Sequence, residues 1–91
     1  MSELQGLRTT SLLAYAEAIE NLGARQKQIL KTIDKIEPCN NLMISRYTGL
    51  PINSVTPRVY ELKRKGLIKE LKVGICPITK RRTLFYIRVR K

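Results

Sequence analysis

The chain has 91 residues, so it forms one domain and has no room for a second. Its hydrophobic fraction of 43% and its charged fraction of 27% are those of a globular protein and exclude wholesale disorder. It carries 18 lysines and arginines against 7 acids, a net charge of +11, and it has no histidine, the commonest general base and metal ligand.

Three helices are predicted in the first half of the chain. Apolar residues at intervals of three and four predict a helix over residues 10–22 and a second over about 24–36. Asn40 or Asn41 is a good N-cap for a third, short helix that ends near Thr48.

A fourth helix is predicted to start around Ile52 to Ser54 and to run to Lys65, where a glycine follows. Pro57 is unusual inside it, because proline lacks the N–H that a helix interior needs and is harmless only in the first turn. We therefore expect the helix to begin with Asn53 or a close neighbour as its cap.

Beyond the fourth helix the apolar pattern changes to alternation, which predicts two strands over residues 67–73 and 83–89 joined by a loop over 74–82. The predicted fold class is mainly α with a small β-hairpin, an α+β arrangement. We divide the chain into an N-terminal helical extension, residues 1–23, and a main domain, residues 24–91.

Nearly all the excess charge lies in the last third of the chain. Residues 1–57 hold six basic and five acidic residues, a net of +1, whereas residues 58–91 hold twelve basic and two acidic residues, a net of +10. This imbalance predicts a polyanionic partner, either nucleic acid or an anionic membrane surface. A merely solubilising face would carry a more even mixture of charges.

Two short helices joined by a tight turn predict a helix-turn-helix between the third and fourth helices. Ser45, Gly49 and Val55 have the spacing that lets two such helices approach closely, and Leu50 and Leu62 extend the apolar seam.

Over roughly residues 24–91 the sequence resembles the winged helix-turn-helix DNA-binding family. The stretch Leu50-Pro51-Ile52-Asn53-Ser54-Val55-Thr56-Pro57-Arg58-Val59 and the Cys76-Pro77-Ile78-Thr79 element are similar to those of small phage- and prophage-borne members. The resemblance implies a recognition helix in the major groove, a wing on the DNA backbone and an extra N-terminal helix. The chain departs from the pattern at Lys80, where glycine is more usual, and at Tyr60, where a smaller polar residue is more usual.

The candidate DNA-binding residues lie on the exposed face of the fourth helix, in its last turn and at the tip of the wing. They are Asn53, Ser54, Thr56, Arg58, Tyr60, Lys63, Arg64, Lys80, Arg81 and Arg82. Asparagine can pair with adenine and arginine with guanine, and clustered cations in a tight loop repel one another unless phosphates neutralise them. Cations in a last helical turn also complement the helix dipole, and Arg58 is either a phosphate contact or an intramolecular partner.

The same residues argue against an enzyme, a cofactor or a metal site. The chain has no phosphate-binding glycine loop, no paired carboxylates in one segment and no nucleophile–base pair. Cys39 and Cys76 cannot supply the four ligands that zinc needs, so we expect buried thiols, with a redox switch as a second hypothesis.

The apolar stripe of the leading helix has two interpretations. It packs on its own domain, or it joins two chains into a homodimer, as is common among major-groove binders. We favour the homodimer, through Leu12, Tyr15, Ala16, Ile19 and Leu22.

Together these features predict a sequence-selective double-stranded DNA-binding protein, a transcriptional regulator that reads the major groove with the helix at about 53–65 and the backbone with the wing at 74–82. The alternative is a non-enzymatic adaptor or architectural protein of a replication or packaging complex, which binds protein, RNA or DNA without sequence preference. No secretory signal or membrane-spanning run is visible, so we expect a cytoplasmic protein, nucleoid-associated or in the host cytoplasm if viral.

Overall fold

The computed structural model describes residues 13–90, which form four helices followed by an antiparallel two-stranded hairpin. The prediction of a mainly α fold with a small β-hairpin is confirmed, and residues 10–12 of the first predicted helix lie outside the described part. The elements are α1 (13–20), α2 (Ala24–Ile36), α3 (Asn41–Thr48), α4 (Ile52–Arg64), β1 (Ile68–Ile75) and β2 (Arg82–Arg88).

Local capping chemistry sets both ends of α3. Of the two candidate N-caps, Asn40 is the one used, because its Oδ1 accepts a hydrogen bond of 2.8 Å from the backbone N–H of Met43. The helix ends at Gly49, whose φ of +78° is a left-handed conformation that glycine adopts without strain. Its N–H donates to the carbonyl of Ser45 at 2.9 Å.

Helix α4 starts at Ile52, within the predicted range, but its cap differs from the prediction. The N-cap is Pro51, not Asn53, and the carbonyl of Pro51 accepts from the N–H groups of Ser54 and Val55 at 2.9 and 3.2 Å. Proline has an extended ψ of 148° here and needs no N–H of its own at a cap. Pro57 therefore lies inside the helix rather than in its first turn, and it cannot donate to the carbonyl of Asn53.

The hairpin is longer than the alternation predicted, since β1 continues through Ile75 and β2 begins at Arg82. Gly74 lies in this extension, and a Cβ atom at that position would lie 3.1 Å from Phe85 Cε1, so a larger residue would push the aromatic ring away by a few tenths of an ångström. The register slips between Glu70 and Lys72, which leaves a bulge in β1.

A short segment before α3 pairs with the other edge of the hairpin. Cys39 and Tyr86 exchange backbone hydrogen bonds of 3.1 and 2.7 Å, which ties the end of α2 to β2. Both the N–H and the C=O of Tyr86 are used in this pair, so Cys39 lies on the side of β2 away from β1.

The core lies between the helices and the base of the hairpin. Its fully buried aliphatic members come from α2, α3 and α4 and from the residues at and just before the start of β1. They are Ile29, Ile33, Ile44, Val55, Val59, Leu62, Leu67 and Ile68.

The apolar stripe of α1 packs on its own domain. Tyr15 and Ile19 contact the core, Leu22 is buried, and the Tyr15 hydroxyl donates to the carbonyl of Val89 at 2.6 Å. Ala16 is exposed, and Leu12 lies outside the described residues. The interpretation in which the helix enlarges the core of its own domain therefore accounts for three of the five residues we assigned to a homodimer.

Candidate nucleic-acid interface

A three-residue turn over 49–51 joins α3 to α4. The Ser45 hydroxyl donates to the carbonyl of Leu50 at 2.5 Å, and the Thr48 hydroxyl accepts from the N–H of Leu50 at 3.2 Å. These two bonds give both backbone polar groups of Leu50 a partner, and Val55 in the first turns of α4 is fully buried. The turn thus fixes how α4 leaves α3 and which of its faces meets solvent.

The solvent-facing side of α4 carries the polar and aromatic side chains that the helical period places there. Asn53, Thr56, Tyr60 and Arg64 are all exposed, with Tyr60 at 59%. The Arg64 guanidinium lies 5.9 Å from the centre of the Tyr60 ring, so the two side chains stack one turn apart. Ser54 is half-buried at the edge of this face.

Arg58 is an intramolecular partner in this structure. Its Nε and Nη2 atoms each lie 2.9 Å from one carboxylate oxygen of Glu61. Glu61 Oε1 also accepts a hydrogen bond of 2.7 Å from Gln26, which links α4 to α2. This network holds Arg58 against its own helix, so it reaches an external phosphate only if the Glu61 pair opens.

Lys63 is also paired within the chain. Its Nζ forms an ion pair with Glu70 of β1, and hydrogen bonding to that carboxylate raises the pKa of Lys63 above its ordinary value. Both side chains are more than two-fifths exposed, so solvent screens the pair and it exchanges readily with other partners.

The tip of the hairpin has a defined shape. The Cys76 N–H donates to the carbonyl of Arg81 and the Lys80 N–H donates to the carbonyl of Cys76, both at 2.8 Å. Lys80 has a φ of +63°, the left-handed conformation that glycine adopts most easily. The chain therefore keeps a glycine-type turn with lysine in it, and Arg81 and Arg82 follow as exposed cations.

Helix α4 and the hairpin tip share one groove, which we call the hairpin groove. Ile52 and Thr56 line it from α4, Thr79, Arg81 and Arg82 line it from the hairpin, and the start of α3 closes its end. It has a volume of about 300 Å³, and none of its ten lining residues is acidic. An open, cationic groove between a helix and a loop is suited to an extended anion.

Four more of the predicted residues of α4 line two other grooves. Asn53, Ser54 and Arg58 line a second groove together with Arg25 of α2, and Arg64 lies beside Glu61 and Lys65. Arg25 was missed in the sequence because it lies on a different helix, nearly thirty residues earlier. The Arg25 side chain adds a positive charge to the groove that Asn53 lines.

Two cations near the C-terminus lie in ion pairs with α2. Arg90 contacts Asp34 and Glu37 at 2.5 Å each, and Arg88 lies 3.3 Å from Asp34. The Arg90 guanidinium, together with the N–H of Arg88 bonded to Glu37, holds the pKa of Glu37 below its ordinary value. These residues fasten β2 to α2.

The two cysteines are free, and their surroundings differ sharply. Burial in the core raises the pKa of the Cys39 thiol to about 12. The pKa of Cys76 is lowered to about 7, mainly by the backbone N–H of Thr79, against a desolvation effect in the other direction. Within residues 13–90, no group of three or more cysteines, aspartates or glutamates is placed to hold a metal ion.

A scan against protein-family models, a search of curated proteins and a search of solved structures found no match to this chain. Among the described helices, none is long and apolar enough to cross a membrane.

Proposed function

We propose that this protein binds double-stranded DNA with sequence selectivity and acts as a transcriptional regulator of the winged helix-turn-helix type, in the cytoplasm where its DNA lies. Helix α4 enters the major groove and the 74–82 hairpin tip lies on the adjacent backbone. The observation that carries the proposal is the hairpin groove, in which Thr56, Arg81 and Arg82 face a common space without any acidic neighbour.

The side chains of α4 have the chemistry that base reading requires. The major groove admits a helix and presents a distinct pattern of donors and acceptors for each base pair. Asn53 and Arg64 can each make paired hydrogen bonds to a base edge, to adenine and guanine respectively. Tyr60 offers a hydroxyl and an exposed apolar ring, and the Arg64 guanidinium lies 5.9 Å from the centre of that ring.

The cations contribute unequally to backbone binding. Lys80, Arg81 and Arg82 have no carboxylate partner among the described residues, so a phosphate neutralises them without breaking an existing ion pair. Arg58 and Lys63 are each paired with a glutamate, which a phosphate must displace. We therefore assign the hairpin tip the larger share of the electrostatic free energy.

A homodimer through α1 has only the exposed side of that helix available, because Tyr15, Ile19 and Leu22 pack on their own chain. The described residues exposed on α1 are Leu13, at 56%, Ala14, Ala16, Glu17 and Glu20, so the apolar part of that side is small. Light scattering on the free protein and on the DNA complex measures whether one or two chains bind each site.

One observation favours the alternative, a non-enzymatic adaptor in a replication or packaging complex. Leu71, Val73 and Ile75 alternate along β1 and are 46%, 63% and 59% exposed, which is more apolar surface than DNA backbone binding requires. Selection from a random pool of duplex DNA separates the two functions. An enriched motif supports the regulator, and salt-sensitive binding with no enriched motif supports the adaptor.

The selection has a matched control within the chain. Asn53→Ala with Thr56→Ala removes two proposed base contacts without a change in charge, and it should abolish enrichment while salt-sensitive binding survives. Lys31→Ala with Lys35→Ala, on the exposed side of α2, should leave the enriched motif unchanged. If the variant with Asn53→Ala and Thr56→Ala still enriches the same motif, α4 is not the helix that reads the bases.

A further inference from the structure

Cys76 lines the hairpin groove at the point where β1 ends. The residue is 2% exposed, and the groove that it lines is open to solvent between the side chains of Arg81 and Arg82, which are themselves exposed. Cys39, the other cysteine, is fully buried in the main core and lines none of this space. Both cysteines are therefore buried, and they differ in that only Cys76 lines an open groove.

A second, independent feature lies at the same place. Asn40 is 1% exposed, and its Oδ1 is used to cap α3. Its amide nitrogen, Nδ2, makes no hydrogen bond to another described nitrogen or oxygen atom, Asn40 and Cys76 line the same groove, and hydrogen bonding from Asn40 helps to lower the pKa of the Cys76 thiol. A buried N–H donor without a partner costs free energy, so this site favours an electron-rich atom in front of it, which a thiolate or a sulfur-linked group supplies.

The electrostatics of the groove favour an anionic reagent. The residues that line it from α3 and α4 are neutral, and those from the hairpin include Arg81 and Arg82. The N–H of Thr79, above all, lowers the pKa of Cys76 to about 7, so a large fraction of the sulfur is thiolate at neutral pH. Nucleophilic thiolates are found in such electropositive surroundings.

We propose that Cys76 is a modification site for small anionic disulfides, and that the resulting mixed disulfide fills the hairpin groove and excludes a DNA duplex from it. The first half stands on the groove, the sulfur and Asn40 alone. The second half rests on the proposed function, because it assumes that the duplex uses the same groove.

The chemistry is thiol–disulfide exchange. Cys76 first loses its proton to solvent, and the thiolate Sγ attacks one sulfur of the reagent disulfide. A new S–S bond forms to Cys76 as the S–S bond of the reagent breaks, and the second sulfur leaves as a thiolate that takes a proton from solvent. The reagent disulfide is the oxidant, and one molecule of it yields one mixed disulfide and one free thiol.

The test of the first half uses the unmodified chain and intact-mass spectrometry with peptide mapping. Oxidised glutathione, which is anionic, and cystamine, which is cationic, serve as matched probes. We expect a single adduct on Cys76, formed about tenfold faster with oxidised glutathione than with cystamine, since charge attraction raises encounter rates by roughly that factor or more. Arg81→Gln with Arg82→Gln should remove the preference. An adduct on Cys39 instead, or equal rates for the two probes, would overturn the modification site.

The second half is tested by fluorescence anisotropy with a labelled duplex. We expect the glutathione adduct to bind the duplex at least about tenfold more weakly than the reduced protein, with dithiothreitol restoring binding, because the adduct adds negative charge beside Arg81. Cys39→Ser should bind the duplex, and lose affinity with oxidised glutathione, as the wild-type protein does. Cys76→Ser should bind the duplex with an affinity that oxidised glutathione does not change. If the adduct and the reduced protein bind the duplex equally well, the exclusion of DNA is wrong and the modification site stands. If the reduced protein binds no duplex, the proposed function is wrong and the modification site again stands.

Discussion

Removing the cations of the hairpin tip should flatten the salt dependence of DNA binding. Four of the predicted DNA-contacting cations have no carboxylate partner in the described part of the chain: Arg64, Lys80, Arg81 and Arg82. Each cation that displaces a counterion from the DNA contributes about 0.9 to the slope of log affinity against log salt, and Arg64 is counted because its charge does so at a base edge as well as at the backbone. The four therefore predict a slope of about −3.6. Between 50 and 200 mM salt, that slope corresponds to a loss of affinity of about 150-fold.

The triple variant Lys80→Gly, Arg81→Ala, Arg82→Ala leaves one of the four cations. Its slope should fall to about −0.9, and its affinity should change only about 3.5-fold over the same salt range. Glycine is chosen at position 80 because the left-handed backbone there suits it, so the turn keeps its shape. Fluorescence anisotropy with a labelled duplex at several salt concentrations measures both slopes, and thermal unfolding checks that the variant is folded.

The control removes the same charge from another surface. Lys27, Lys31 and Lys35 are exposed on one side of α2, and their triple replacement by alanine also lowers the net charge by three. If net charge alone drives binding, the two triple variants will have equal slopes. That result, or a hairpin variant with the slope of the wild type, would refute the assignment of phosphate contacts to the hairpin tip.

Three further predictions concern stability. Lys80→Gly should raise the free energy of unfolding by about 0.5–1 kcal/mol, measured with urea, because relief of a left-handed residue gains roughly 1–2 kcal/mol and the flexibility of glycine offsets part of it. Pro57→Ala should raise it by about 1–3 kcal/mol in the same assay, since the new N–H can donate to the carbonyl of Asn53 within α4, and an unchanged midpoint would contradict this. With Glu37→Gln, the free energy of unfolding should fall less steeply below pH 4.5 than in the wild type, as measured by urea unfolding at several pH values. The pKa of Glu37 is lowered by Arg90, so its contribution is present above its ordinary pKa of 4.5 and disappears as the pH falls through the lower folded value.

Local features of the fold followed from the sequence because they depend on near neighbours. The apolar period identified the buried faces of α2 and α4, and Gly49 and Gly66 mark helix ends with left-handed backbones. The cap of α4 did not follow, because Pro51 caps the helix through its own extended backbone rather than through a side chain that a sequence pattern reveals.

The long-range pairs could not be predicted in this way. Arg90 meets Glu37 across more than fifty residues, and Lys63 of α4 meets Glu70 of β1. A cation in a sequence has the same appearance whether its partner is a glutamate or a phosphate, and only the packing of distant elements decides between them. For that reason the sequence counted too many free cations. The structure brings Thr56 of α4 and the hairpin-tip arginines to one groove, and their contact with DNA stays a prediction.

The edges of the hairpin have a consequence for behaviour at high concentration. Since Cys39 pairs with Tyr86 on the outer side of β2, the open backbone edge belongs to β1. A regular open edge recruits strands from other molecules and seeds fibrils, but β1 is interrupted by a bulge at Leu71 and carries exposed Lys69 and Lys72 on either side of it. Two lysines and one irregular residue thus keep neighbouring molecules from extending the sheet, even though aliphatic side chains lie open on the same strand.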